Sequence, residues 1–158
     1  MSLNDEFFNI AKSLNKELDI IPVLYGSLGL EKVTGGKFSP QDIDILAPLI
    51  FLEEKWTILK SLIEQLGYEM IDLHEHEFKN DRIKIGFSFI EDLKSFADVN
   101  YKNLEKNEDN GAMYYTLSIS DYLKVYNKSL LDGYRRTKNN KDESKLKFLY
   151  ELVQNNFD

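Results

Sequence analysis

The chain has 158 residues, 42% hydrophobic and 30% charged, with a net charge of −7 at pH 7 and no cysteine. That composition fits a single globular domain with a buried core and excludes a disulfide framework, a thiolate metal site and a cysteine nucleophile. The acidic balance argues against a polynucleotide partner, and without a run of ~18 apolar residues or a basic-then-apolar leader the expectation is a cytoplasmic protein with no membrane contact.

Asn4 to Leu18 reads as the first helix, because Phe7, Phe8, Ile10, Ala11 and Leu14 recur at helical spacing. Ser2 or Asn4 caps it, and Asp5 and Glu6 suit the positive end of its dipole. An apolar strand (Ile20, Ile21, Val23, Leu24) follows, then Tyr25-Gly26-Ser27 with a short turn or helix, then a loop holding Gly35-Gly36. The second strand carries Asp42-Ile43-Asp44-Ile45-Leu46. Strand side chains alternate, so Asp42 and Asp44 share one face while Ile43 and Ile45 take the other. Two carboxylates placed this way can hold a hard cation such as Mg²⁺ through oxygen. Gly26-Ser27 at the end of the neighbouring strand offers backbone N–H groups and a hydroxyl, as helix N-termini and anion nests do for phosphate.

Phe51 to Leu66 reads as a second helix with an apolar stripe of Leu52, Trp56, Leu59, Ile63 and Leu66, ended by Gly67. On such a stripe Trp56 is a core residue rather than a base-stacking platform. Tyr68 to Phe89 reads as a hairpin: a strand through Phe78, a turn at Lys79-Asn80-Asp81, and a return strand from Arg82. His74 and His76 would then face away from Glu75 and Glu77, so these four cannot share one ion. Asp92 to Leu104 is a short helix or loop, leading to an acidic turn at Asn110-Gly111 and an edge strand from Met113 to Ile119. A helix capped by Ser120 runs to Arg136, and a linker from Thr137 leads to a last helix starting at Lys145. Arg135, Arg136, Lys138 and Lys141 make this ending locally basic. Residues 1–119 are thus expected as an α/β core and 120–158 as a helical extension of the same domain. No GxxxxGK[ST] or GxGxxG phosphate loop occurs.

Gly26-Ser27 followed by Asp42-x-Asp44 on a strand resembles the signature of the DNA polymerase β-type nucleotidyltransferase superfamily. The stretch GSLGLEKVTGGKFSPQDIDIL is also similar to that superfamily's sugar- and choline-phosphate-transferring branch. The resemblance implies an α+β fold: a small mixed sheet of about four or five strands, flanked by helices and closed by a C-terminal helical pair. It implies that Asp42 and Asp44 are the catalytic, Mg²⁺-holding carboxylates and that Gly26 and Ser27 hold the β- and γ-phosphates. Arg135, Arg136 or Lys138 would steady the leaving pyrophosphate. The reaction implied is transfer of a nucleoside monophosphate from a nucleoside triphosphate to a small-molecule or protein hydroxyl. Members generally carry a third carboxylate on a later strand. Here Lys84, Gly86 and Ser88, or Ile85 and Phe87 on the other face, occupy those positions and none is acidic. Glu75, Glu77 or Glu91 would have to substitute. The alternative is a degenerate, non-catalytic nucleotidyltransferase fold that binds a nucleotide or a protein, as antitoxin-like members do. A domain with an unrelated ligand would follow if Asp42 and Asp44 pointed away from Gly26.

Overall fold

The computed structural model describes residues 2–131 and 141–157. Ser2 starts α1 (Leu3–Leu18): its hydroxyl accepts the Asp5 N–H while the Asp5 carboxylate accepts the Ser2 N–H, a reciprocal capping box. β1 (Val23–Tyr25) runs directly into α2 (Gly26–Thr34), and β2 (Asp42–Ala47) returns beside it. A 3₁₀ turn at Leu49–Phe51 precedes α3 (Trp56–Gln65). Three short strands follow, β3 (Glu69–Asp72), β4 (Glu77–Lys79) and β5 (Lys84–Phe89), then α4 (Asp92–Ala97). β6 (Glu105–Asp109) and β7 (Ala112–Thr116) form a hairpin, and α5 (Ile119–Leu131) and α6 (Lys141–Phe157) pack on each other at the end.

The strands make one mixed sheet of 7 in the order β3-β4-β5-β2-β1-β7-β6. β2 pairs parallel with β5 and β1 parallel with β7, while the remaining neighbours are antiparallel. Each face supports its own apolar cluster. Ile43, Ile45, Ile85, Phe87 and Phe78 point to the side covered by α1 and α3, among Phe7, Ile10, Leu14, Leu59 and Ile63. Val23 and Leu46 point to the other side, against Leu30, Leu93, Tyr122, Val125, Tyr126 and Leu149. That second cover leaves the N-terminal half of β2 and its neighbour β5 open, and the site lies there.

The sheet is larger than the expected four or five strands for two local reasons. His76 adopts φ +55° and breaks the long strand read from Tyr68 to Phe78 into β3 and β4. The polar run Glu105–Asp109 is a strand, not an acidic turn: it pairs with β7 through a tight bend at Asn110 (φ +52°) and Gly111 (φ +81°). It carries no apolar pattern because it is the outer edge, so β7 lies inside the sheet rather than at its margin. α5 is capped by Ser118, whose hydroxyl accepts the Asp121 N–H, and not by Ser120. α6 begins at Lys141, four residues before the expected start. Trp56 is half-buried and packs edge-on against His76 and beside Phe78, a core role as expected.

One polar cluster is buried under α1. Glu6, only 2% exposed, accepts through Oε1 from Arg82 Nη2 (2.8 Å), Tyr68 Oη (3.2 Å) and Asn80 Nδ2 (3.2 Å). Burial alone would raise the Glu6 carboxyl, but the hydrogen bonds from Arg82, Asn80 and Tyr68 outweigh it and hold it below its ordinary value. Burial first, and then the Glu6 charge, push the Tyr68 phenol up to about 12. Glu6→Ala leaves the Tyr68 and Asn80 donors without their acceptor and is expected to lower stability by about 1–3 kcal/mol, read by denaturant unfolding. Because the folded carboxyl is depressed, its stabilisation is present at neutral pH. It is lost as the pH falls from 4.5, the ordinary Glu value, through the folded one. Wild type should therefore lose more of its neutral-pH stability on acidification than Glu6→Gln.

Candidate nucleotide site

The sequence alternation of β2 becomes geometry directly. Ile43 and Ile45 are fully buried, whereas Asp42 and Asp44 are exposed on the opposite face. They open into a cleft of about 660 Å³ lined also by Tyr25, Gly26, Glu75, Glu77, Lys84, Gly86, Phe96, Tyr122 and Tyr126. Gly26, the first residue of α2, holds φ +64°, and a Cβ there would fall 2.2 Å from Asp44 Oδ2. The strand–helix turn therefore touches the acidic strand so closely that only glycine fits. Tyr25, at the cap of α2, makes no side-chain hydrogen bond to the helix start. The positive end of this nine-residue helix meets the carboxylates at the cleft.

Ser27 lies one residue further on, half-buried, and is not among the residues lining the cleft. Arg135, Arg136 and Lys138 fall outside the described residues. Of the substitute third carboxylates, Glu91 is engaged elsewhere: it accepts the Leu49 N–H through Oε1 (3.0 Å) and Oε2 (3.3 Å), beyond the far end of β2. Glu75 and Glu77 both line the cleft. The two histidines are not part of it. His74 is almost fully exposed, and His76 Nε2 sits 3.2 Å from the Leu52 carbonyl oxygen with its ring against Trp56.

In the parallel register Asp42 stands opposite Lys84 and Asp44 opposite Gly86, and β4 sets Glu77 opposite Gly86 on the far side. The residue in register with Asp44 is thus a glycine, and the space above it is open: a Cβ on Gly86 would meet only Asp44 Oδ1, at 3.6 Å. Lys84 leans toward Glu77, with Nζ 3.0 Å from Oε2. The hydrogen bond to Glu77 and then the charges of Glu77, Asp42 and Asp44 push the Lys84 ammonium above its ordinary value, against a partial burial that lowers it. Among the described residues no group of three or more His, Cys, Asp or Glu side chains is arranged to hold a metal ion. Asp42 and Asp44 place two carboxylates, oxygen donors of the kind hard cations take, on one strand face at the cleft.

Sequence reasoning missed the opposite wall. Tyr122, Val125, Tyr126 and Ser129 of α5 face the cleft, although Tyr122 and Tyr126 read only as an apolar helix face. Tyr122 Oη donates to the Leu24 carbonyl (2.9 Å) and packs where a Cβ on Gly29 would stand, 2.4 Å away. It therefore locks α5 to β1 and α2 beside the site. Lys84 was also missed as a site residue, being noted only as a position that is not acidic.

No family model matches the chain. Its backbone is similar to the solution structure of the antibiotic-resistance factor ANT(2'')-Ia, with a TM-score of 0.60 and 12% identity over 96% of this chain and 86% of that one. At that identity the likeness concerns the fold alone, and the fold is nucleotidyltransferase-like. Among the described residues no helix is long and apolar enough to cross a membrane. The chain is 67% identical over 156 residues to the uncharacterized protein YnaI of Bacillus subtilis (strain 168), spanning 98% of this chain and 100% of that protein. It belongs to the family of YnaI.

Proposed function

We propose that the cleft binds a magnesium–nucleoside triphosphate and that the protein moves the nucleoside monophosphate to a hydroxyl of a small molecule or protein. The observation that carries this reading is the close meeting of Gly26 with Asp44, which brings a helix start and two same-face carboxylates to one cleft. It does so in a nucleotidyltransferase-like fold. In this reading Asp42 and Asp44 hold the metal through carboxylate oxygens, and the helix start at Gly26 receives β- and γ-phosphate oxygens, with Ser27 next to it reaching them only from outside the present cleft lining. Arg135, Arg136 and Lys138 are assigned to the pyrophosphate. When bound, the metal supplies charge neutralisation at the phosphates. The residues contribute positioning and electrostatics, as is usual for phosphoryl chemistry. The acceptor oxygen bonds to the α-phosphorus and the bond from that phosphorus to the bridging β-oxygen breaks. Pyrophosphate leaves with the electron pair, and the acceptor proton passes to a carboxylate at the Glu75–Glu77 end of the cleft.

Gly86 favours a second reading, a nucleotide- or protein-binding module of antitoxin-like kind that performs no transfer. Its position in register with Asp44 carries no carboxylate. Both readings share the metal–nucleotide site and differ in whether pyrophosphate is released.

Calorimetric titration of ATP, CTP, GTP and UTP, each with and without Mg²⁺, tests the shared site. Wild type should bind at least one of them only with the metal, and Asp42→Asn should weaken that binding by about tenfold or more while unfolding at the wild-type temperature. Equal binding by the variant would remove Asp42 from the site. Gly26→Ala should also weaken binding and should lower stability by about 1–2 kcal/mol through its left-handed backbone and the contact with Asp44. Gly86→Asp, by contrast, adds a carboxylate where space is open and should tighten Mn²⁺ binding, measured by electron paramagnetic resonance. Unchanged affinity would mean that this position does not face the metal.

A further inference from the structure

Two rows of side chains cross the open half of the sheet. In one, Asp42, Lys84 and Lys79 stand in register; in the next, Asp44, Gly86 and Glu77. All four acidic side chains that line the cleft, Asp42, Asp44, Glu75 and Glu77, share a single cation among its described lining residues, Lys84. Lys84 reaches diagonally from the first row into the second and pairs with Glu77 at 3.0 Å. Gly86, in register between Asp44 and Glu77, has no side chain. An added Cβ at Gly86 finds only Asp44 Oδ1 within 4 Å. A lysine ammonium is a compact charge with three donors on a flexible stem. It can therefore exchange one anionic partner for another with little rearrangement of the sheet.

We propose that Lys84 is a positioning residue that couples metal uptake to nucleotide binding, an inference that rests on the metal–nucleotide reading above. Without nucleotide, Lys84 neutralises Glu77 and the adjoining Asp42 and Asp44, so a divalent cation arriving alone meets a site whose field is already partly cancelled. A triphosphate offers the ammonium new anionic oxygens. Lys84 turns from Glu77 to the phosphates, and the carboxylate row is left to the metal that the nucleotide carries. Each ligand thereby raises the affinity of the other, as linkage requires.

The test is calorimetric titration of Mn²⁺ alone and of the Mn²⁺–tripolyphosphate complex, a probe independent of the nucleobase. Wild type should bind the complex much more tightly than the free ion. Lys84→Met should bind free Mn²⁺ roughly fivefold more tightly, the size of one partly exposed charge interaction. It should bind the complex no better than wild type, so the gap narrows. Lys84→Arg should preserve the gap. Glu77→Gln, which releases the ammonium toward Asp42 and Asp44, should move free Mn²⁺ affinity in the opposite direction. The opposite signs follow from charge alone, so the narrowed gap between the two probes in Lys84→Met is the result that a merely structural ion pair would not give. Wild-type values for both probes in Lys84→Met, or weaker free-ion binding, overturn the coupling while the site stands. Failure of wild type to bind either probe overturns the site and the coupling together.

Discussion

β2 lies fourth of the seven strands, parallel to β5 and antiparallel to β1, where a strand would ordinarily be apolar on both faces. One face is; the other carries Asp42 and Asp44 before the buried Leu46. Ile43 and Ile45 are fully buried with α1 and α3, each contributing about 1.5–3 kcal/mol of burial. A slip of one residue would exchange them for Asp42 and Asp44, so the hydrophobic effect fixes the register of the whole strand. The packing of Ile43 and Ile45 thereby sets which face the carboxylates take.

The elements around β2 then decide what those carboxylates meet. β1 ends at Tyr25 and turns at once into α2, and the positive φ of Gly26 lets that turn press against Asp44. Tyr122, fully buried and bonded to the Leu24 carbonyl, ties α5 to the same turn, so the aromatic wall and the acidic strand form one unit. The apolar cover from α4, α5 and α6 begins at Leu46 and Val23 and leaves Asp42, Asp44, Lys84 and Gly86 facing the cleft. Among the described residues four carboxylates gather around one lysine, which is unfavourable for folding, since like charges repel. Such local conflicts with stability are expected at functional sites.

What was legible in the sequence follows from which physical signals are local. The period-2 pattern of Asp42 to Leu46 announced both the strand and the shared face of its carboxylates. The helical stripes gave α1 and α3, and the strand–Gly-Ser–acidic strand order gave the fold class. The break before β4 was hidden because the turn at residues 73–76 contains no glycine or proline: it closes through the Glu75 N–H on Asp72 Oδ1 and the left-handed His76. β6 was hidden because Glu105 to Asp109 is stabilised by pairing with β7 rather than by apolar content. At the site, Asp42, Asp44 and Gly26 were legible and do line one cleft. The α5 wall was not, because Tyr122 and Tyr126 serve the core and the cleft at once. Nor was the Lys84–Glu77 pair, which exists only once β4 and β5 are in register.

The cleft around Gly26, Asp42 and Asp44 is the proposed seat of a metal–nucleotide. Amide chemical-shift mapping by nuclear magnetic resonance, with a magnesium-loaded, non-hydrolysable nucleoside triphosphate titrated into the full chain, addresses this most directly. The largest shifts should cluster at Gly26 to Leu28, Asp42 to Asp44 and Lys84 to Gly86, and should disappear when magnesium is chelated. Shifts centred instead on the second cavity, beside Glu6, Tyr68 and Arg82 on the α1 side of the sheet, would contradict it. So would the absence of metal-dependent shifts with every one of the four bases.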